Sequence, residues 1–148
     1  PQAWLGLTFS WGVPVAYVAA SGQFDFAVLA LYVSCIFWTL GYDTIYAHQD
    51  SEDDALVGVR STARLFGHHS PIWVGAFYGL TAGLAGVALY LVNASPFAAI
   101  PFALYAAHLF NQIRLMDVED GISCLKVFKS NRETGLLLCV TFALVTIL

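Results

Sequence analysis

DFAVLALYVSCIFWTLGYDTIYAHQDSEDDALVGVRSTARLFG, residues Asp25 to Gly67, decides the fold. Its first half is an apolar run long enough to cross a bilayer, which takes about 20 mostly apolar residues. Its second half carries five acids, Asp43, Asp50, Glu52, Asp53 and Asp54, in a chain that is only 11% charged. Carboxylates at the edge of a membrane span are expensive to keep and mark functional sites.

The remaining sequence repeats the apolar theme. The 148 residues are 59% hydrophobic, with a mean hydropathy of +0.72. Soluble domains run at roughly 45–50% apolar and 25% charged. Spans are predicted at about 3–21, 25–48, 71–92, 96–115 and 133–148, the first carrying Pro14. The fold class is therefore all-α, a multi-pass transmembrane helix bundle. The chain opens at Pro1 without an initiator Met, and its last span reaches Leu148 without a polar flank. Residues 1–148 are expected to be part of a longer protein.

All six basic residues fall in two segments: Arg60 and Arg64 after the second span, and Arg114, Lys126, Lys129 and Arg132 after the fourth. The positive-inside rule assigns both charged loops to the cytoplasmic or matrix side. Nine of the ten acids share that side, with Asp25 alone opposite. The other connections, around Ser21–Asp25 and Asn93–Pro96, read as tight turns. Chemistry on one face argues against a transporter, which needs access from both. A net charge of −4 carries no nucleic-acid signal. Cys35, Cys124 and Cys139 show no metal-ligand spacing. Gly75, Gly79 and Gly83 form a small-residue ridge suited to close helix packing.

Within the acidic segment, Asp43 and Asp50 are seven apart and Asp50 and Asp54 four apart. On a continuous helix all three share one face, over roughly 16 Å of rise. Hard oxygen ligands of this kind suit Mg²⁺, which takes one or two carboxylates and completes its shell with waters and substrate phosphates. The same spacing also fits a solvated acidic loop capping a helix. Arg60 and Arg64, one turn apart, offer guanidinium groups for a diphosphate. They equally suit pairing with the acids. Ser61 and Thr62 suit either a helix cap or donation to phosphate. His48 and Tyr42 read as interfacial polar residues. Tyr46 either anchors at the interface or presents an aromatic face to a cation. A second polar loop, Asp117 to Gly135, mixes acids with Lys126, Lys129 and Arg132, which also suit anionic lipid. Asn131 and Arg132 open the last helix and are placed to cap it.

The segment Tyr42 to Gly67 resembles the second aspartate-rich motif of the UbiA superfamily of intramembrane prenyltransferases. It is most similar to the 4-hydroxybenzoate polyprenyltransferases of ubiquinone biosynthesis. The matching positions are Tyr42-Asp43, Tyr46, Asp50, Asp54, Arg60-Ser61-Thr62 and Phe66-Gly67. Cys124, Phe128, Asn131 and Gly135 match a later stretch of the family pattern. Gly121, Ile122 and Ser123 stand where the family usually has a Pro-Glu pair.

The resemblance implies a nine-helix membrane enzyme of which this chain supplies helices five to nine, the C-terminal portion of one domain. The family's other motif, Asn-Asp-x-x-Asp, belongs to an N-terminal half and does not occur here. By the same resemblance, Mg²⁺ is held by Asp50 and Asp54, with Asp43 supporting, and bridges to a polyprenyl diphosphate. Arg60 and Arg64 bind the diphosphate, and Tyr46 and Asn131 line the substrate pocket. The acceptor is 4-hydroxybenzoate. The location is the bilayer of a bacterial inner or mitochondrial inner membrane. Other aromatic prenyltransferases of the superfamily, and a membrane cation-binding or transport protein, are the alternatives at this point.

Overall fold

The computed structural model describes residues 2–50, 54, 56–58 and 60–147. Glu52 and Asp53 lie outside the described residues. Helices stand at all five expected positions, and no strand occurs among the described residues. They are α1 (Gln2–Phe9) with α2 (Gly12–Ser21), α3 (Phe26–Ala47), α4 (Thr62–Phe66), α5 (Ser70–Leu91), α6 (Ala99–Leu115), α7 (Gly121–Lys129) and α8 (Asn131–Ile147).

The first expected span is broken in two. Pro14 has no N–H for the Ser10 carbonyl, and its ring crowds that carbonyl. The helix therefore turns at Ser10 and Trp11 before resuming. Gly22, at φ +71°, closes α2 with an N–H to the Val18 carbonyl at 2.8 Å. Asp25 then caps α3, accepting from the N–H groups of Ala27 and Val28 at 2.9 and 3.1 Å. The Tyr17 hydroxyl donates to the other Asp25 oxygen at 2.6 Å and locks the hairpin. These bonds hold the Asp25 carboxyl below its ordinary range.

Among the described residues, three stretches are long and apolar enough to cross a membrane: Gln2–Ser21, Phe26–Ala47 and Thr62–Leu91. Helices α6 and α8 have 17 residues each, about 25 Å at 1.5 Å per residue. The exterior is oily, with Phe26, Tyr90 and Ile100 all exposed. The interior is small and polar by comparison. Ser34 Oγ donates to the Thr81 carbonyl at 2.7 Å, and Thr81 Oγ1 donates back to the Ser34 carbonyl at 3.3 Å, stitching α3 to α5. Such bonds and small-residue contacts join helices where water supplies no hydrophobic drive.

The close-packing glycines differ from those expected. A Cβ on Gly79 or Gly83 meets nothing within 4 Å, and one on Gly75 meets only Ile113, at 3.8 Å. The tightest approach is at Gly41, where a Cβ would overlap the Tyr78 ring, and Gly135 is also close, 3.1 Å from Trp38. Around them runs a buried polar chain. Trp38 Nε1 donates to Asn131 Oδ1 at 2.8 Å. The Tyr78 hydroxyl donates to Gln112 Oε1 at 2.7 Å. Gln112 Nε2 donates to Thr134 Oγ1 at 3.0 Å, and Thr134 Oγ1 bonds His108 Nδ1 at 2.9 Å. Four helices, α3, α5, α6 and α8, share this chain.

Candidate functional site

Helix α3 delivers Asp43 to the polar end of the bundle and stops at Ala47. The expected single helical face carrying Asp43, Asp50 and Asp54 is therefore not present. The last turn tightens: His48 and Gln49 donate to Ile45 and Tyr46 at 3.2 and 2.9 Å, three residues back instead of four. That change of period takes Asp50 out of the helix and into a turn. Asp50 and Asp54 remain tied to each other, because the Asp54 N–H donates to the Asp50 carbonyl at 2.8 Å. Among the described residues neither carboxylate pairs with a cationic side chain.

Asp43 is half-buried, with the Gln2 side chain as a polar neighbour. Gln2 Oε1 in turn accepts from the Thr62 N–H at 3.3 Å. Thr44 Oγ1 and Thr62 Oγ1 lie 2.8 Å apart. The start of α4 is thus pinned to α1 and α3. An open cavity of about 450 Å³ forms there, lined by Gln2, Leu40, Arg60, Ser61, Thr62 and Arg64. Ser61 stands at the N-terminal boundary of α4 but makes no side-chain cap. Its Oγ is buried and has no hydrogen-bond partner among the described residues. Arg60 is exposed. Arg64 donates to the Asp54 carbonyl at 3.2 Å, which links the arginines to the acidic turn.

The second polar loop reaches the same end. A Cβ on Gly121 would lie 3.3 Å from Gln49 Cα. His68 and Glu119 sit 3.8 Å apart, both well exposed. Such a surface pair contributes little. Asp120 caps α7 by accepting from the Ile122 N–H at 2.9 Å. The Cys124 thiol is buried, donates to the Asp117 carbonyl at 3.0 Å, and is pushed up to about 11 by desolvation and the nearby acids.

Other expected residues have different surroundings from those read in the sequence. Asn131 does not cap the N–H groups of α8. Its Nδ2 donates backwards to the Val127 and Phe128 carbonyls at 3.4 and 3.2 Å, closing α7. With Oδ1 taken by Trp38, its amide is fully engaged. Tyr46 packs on Phe128 with its ring tilted, at a centroid distance of 4.7 Å, and Tyr42 packs on the same ring at 5.8 Å. A second cavity, of about 500 Å³, lies beside them, lined by Trp38, Tyr42, Phe128, Lys129, Asn131 and Arg132 among others. Tyr42, not Tyr46, lines it. His48 is buried with Nε2 2.8 Å from Ser70 Oγ. Burial, and then the neighbouring His68, hold His48 below its ordinary pKa, which keeps it neutral. Gln2 carries no signal in the sequence beyond being the one amide near the start of an apolar helix.

No three His, Cys, Asp or Glu side chains among the described residues converge into a closed metal cage. The donor set instead suits an ion that shares its ligands with a substrate. Asp50 and Asp54 offer hard oxygens, and Mg²⁺ completes its shell with waters and phosphate oxygens.

The description of the matching family model is UbiA prenyltransferase family, and it covers residues 1–145. A rat protein named 4-hydroxybenzoate polyprenyltransferase, mitochondrial, is 47% identical over 93% of this chain and 37% of its own length. The human protein of that name is 44% identical over 93% of this chain and 37% of its own. The Drosophila melanogaster one is 37% identical over 100% and 38%. The chain thus spans a little over a third of these relatives. No solved structure matches. Fold, acidic motif and a family match that covers residues 1–145 lead to one assignment: the chain belongs to the UbiA prenyltransferase family.

Proposed function

We propose that this chain is the C-terminal portion of a membrane enzyme that moves a polyprenyl group from its diphosphate to 4-hydroxybenzoate, at the ring carbon ortho to the hydroxyl, in ubiquinone biosynthesis. The observation that carries the reading is the cavity where Arg60, Ser61, Thr62 and Arg64 meet Gln2, which neighbours Asp43. Cationic and hydroxyl donors there face one space, with carboxylates alongside. That is what a diphosphate and its counter-ion require. The names of the mitochondrial relatives support the choice of acceptor.

In this reading Arg60 and Arg64 bind the diphosphate and Ser61 Oγ donates to it. Asp50 and Asp54 hold Mg²⁺, with Asp43 in support. When bound, the ion supplies positive charge for the departing diphosphate. The C–O bond of the allylic diphosphate breaks, the acceptor ring carbon bonds to the allylic carbon, and the ring loses a proton to regain aromaticity. The aromatic cavity beneath Trp38 and Tyr42, with Tyr46 and Asn131 in its walls' support, shields the allylic centre from water. The remaining acidic ligands come from the N-terminal half, so residues 1–148 alone are inactive. The site faces the matrix, or the cytoplasm in a bacterial source.

The test is the complete protein with labelled 4-hydroxybenzoate, a polyprenyl diphosphate and Mg²⁺. Labelled lipid product is expected, lost on chelation and in Asp50→Ala or Asp54→Ala. Normal turnover in either variant would sink the ligand assignment. Product from another hydroxy-aromatic acceptor, with none from 4-hydroxybenzoate, would reassign the substrate.

A further inference from the structure

An open cavity of about 640 Å³ at the polar end of the bundle is lined by His108 of α6, Lys126 and Lys129 of α7, and Ser130, Arg132 and Glu133 where α8 begins. Three full positive charges meet there. Arg132 is held by its neighbour Glu133 at 2.8 Å. Among the described residues, neither Lys126 nor Lys129 has a carboxylate within ion-pair distance. The cavity keeps an excess of positive charge.

What lies beyond the cations selects the occupant. Arg132, Leu136 and Val140 are four apart on α8, and all three are exposed. Residues at this spacing share one helix face. The cationic rim therefore continues directly into an apolar stripe running down the helix. Helix α7 has the same division. Cys124 and Val127 are buried, whereas Lys126 and Lys129 point out together with Ile122, one turn before Lys126. Its outward face thus offers two cations beside one apolar side chain. A free phosphate matches the cations alone. A molecule with an anionic head and long apolar chains matches the cations and the stripe together.

We infer that this face binds an anionic phospholipid, with its phosphate among Lys126, Lys129 and Arg132 and an acyl chain along Leu136 and Val140. Clustered lysines and arginines beside a span attract anionic lipid, and here the cluster is shaped into a site. It is separate from the cavity of Arg60 and Ser61. Lys129 and Arg132 also border the cavity beneath Trp38 and Tyr42. Lys126 and His108 do not, so Lys126 reports on the outer cavity by itself.

The experiment uses the complete protein in detergent, titrated with dioleoylphosphatidylglycerol or dioleoylphosphatidylcholine and read by native mass spectrometry. Phosphatidylglycerol is expected to be retained about tenfold more than phosphatidylcholine. Lys126→Gln should cut that preference several-fold, in keeping with roughly one unit of surface charge attraction per lysine. Lys126→Arg should restore it, and both variants should melt as the wild type does. Millimolar inorganic phosphate should leave the bound lipid in place. Equal retention of the two lipids, wild-type preference in both Lys126→Gln and Lys126→Glu, or displacement by phosphate would each overturn the inference.

Discussion

The backbone N–H of Thr62 donates to the side-chain oxygen of Gln2 at 3.3 Å, across 60 residues of sequence. The same side chain is a polar neighbour of Asp43. One neutral side chain thus stands between the carboxylate end of α3 and the segment that carries Arg60 and Ser61, and it is bonded to the latter. In the complete enzyme, Gln2→Leu is expected to lower kcat/KM by about tenfold, the scale of lost ligand-orienting contacts. Membrane insertion should be unchanged. Wild-type turnover in steady-state assays would reduce Gln2 to a helix-start residue.

Ser61 separates stability from binding. Its buried hydroxyl has no hydrogen-bond partner among the described residues, and an unpaired buried polar group is costly. Ser61→Ala is therefore expected to leave the melting temperature equal or slightly higher, while raising KM for the polyprenyl diphosphate several-fold. A lower melting temperature with unchanged KM would assign the hydroxyl to the fold instead.

At Gly41 a side chain of α5 presses against the backbone of α3. A Cβ there overlaps the ring of Tyr78, which is fully buried and tethered through its hydroxyl. Gly41→Ala should cost about 1–3 kcal/mol through overpacking, measured as a fall in melting temperature in detergent. Gly79→Ala, whose added methyl meets nothing within 4 Å, is the control and should be close to neutral.

His48 predicts a pH dependence whose sign is fixed by its burial. Its folded pKa lies below the ordinary value, which is about 6.5. Above about pH 6.5 both folded and unfolded forms are neutral and the contribution is complete. As pH falls from there, the unfolded chain takes up the proton first and stability is lost. Melting temperatures between pH 8 and pH 5 should therefore fall more steeply for the wild type than for His48→Gln. Parallel curves would remove His48 from the account.

The helices were legible in the sequence because their lengths are set by bilayer thickness, and all five stand where the apolar runs place them. The acidic motif was legible because charge is scarce in this chain. What escaped was local. The end of α3 at Ala47 depends on two hydrogen bonds of altered period, which no count of residue spacings contains. The roles of the glycines inverted for a similar reason. Gly75, Gly79 and Gly83 make the more regular pattern, but packing depends on which ring lies opposite, and that is Tyr78 over Gly41. Asn131 looked like a cap for the helix that follows it, and instead closes the one before, because Trp38 claims its oxygen.

The buried polar chain from Trp38 through Asn131, and from Tyr78 through Gln112 to Thr134, sets an order on biogenesis. Helices enter a membrane in sequence, and α8 comes after the other three that share the chain. Until it arrives, the indole N–H of Trp38 lacks its Asn131 acceptor within hydrocarbon, and the Gln112 amide lacks its bond to Thr134. The earlier helices are then a provisional assembly, recognisable as unfinished by its exposed polar groups. Arrival of α8 closes it in one event, so a chain cut before Asn131 should be discarded by the cell as incomplete even though most of its spans are in place.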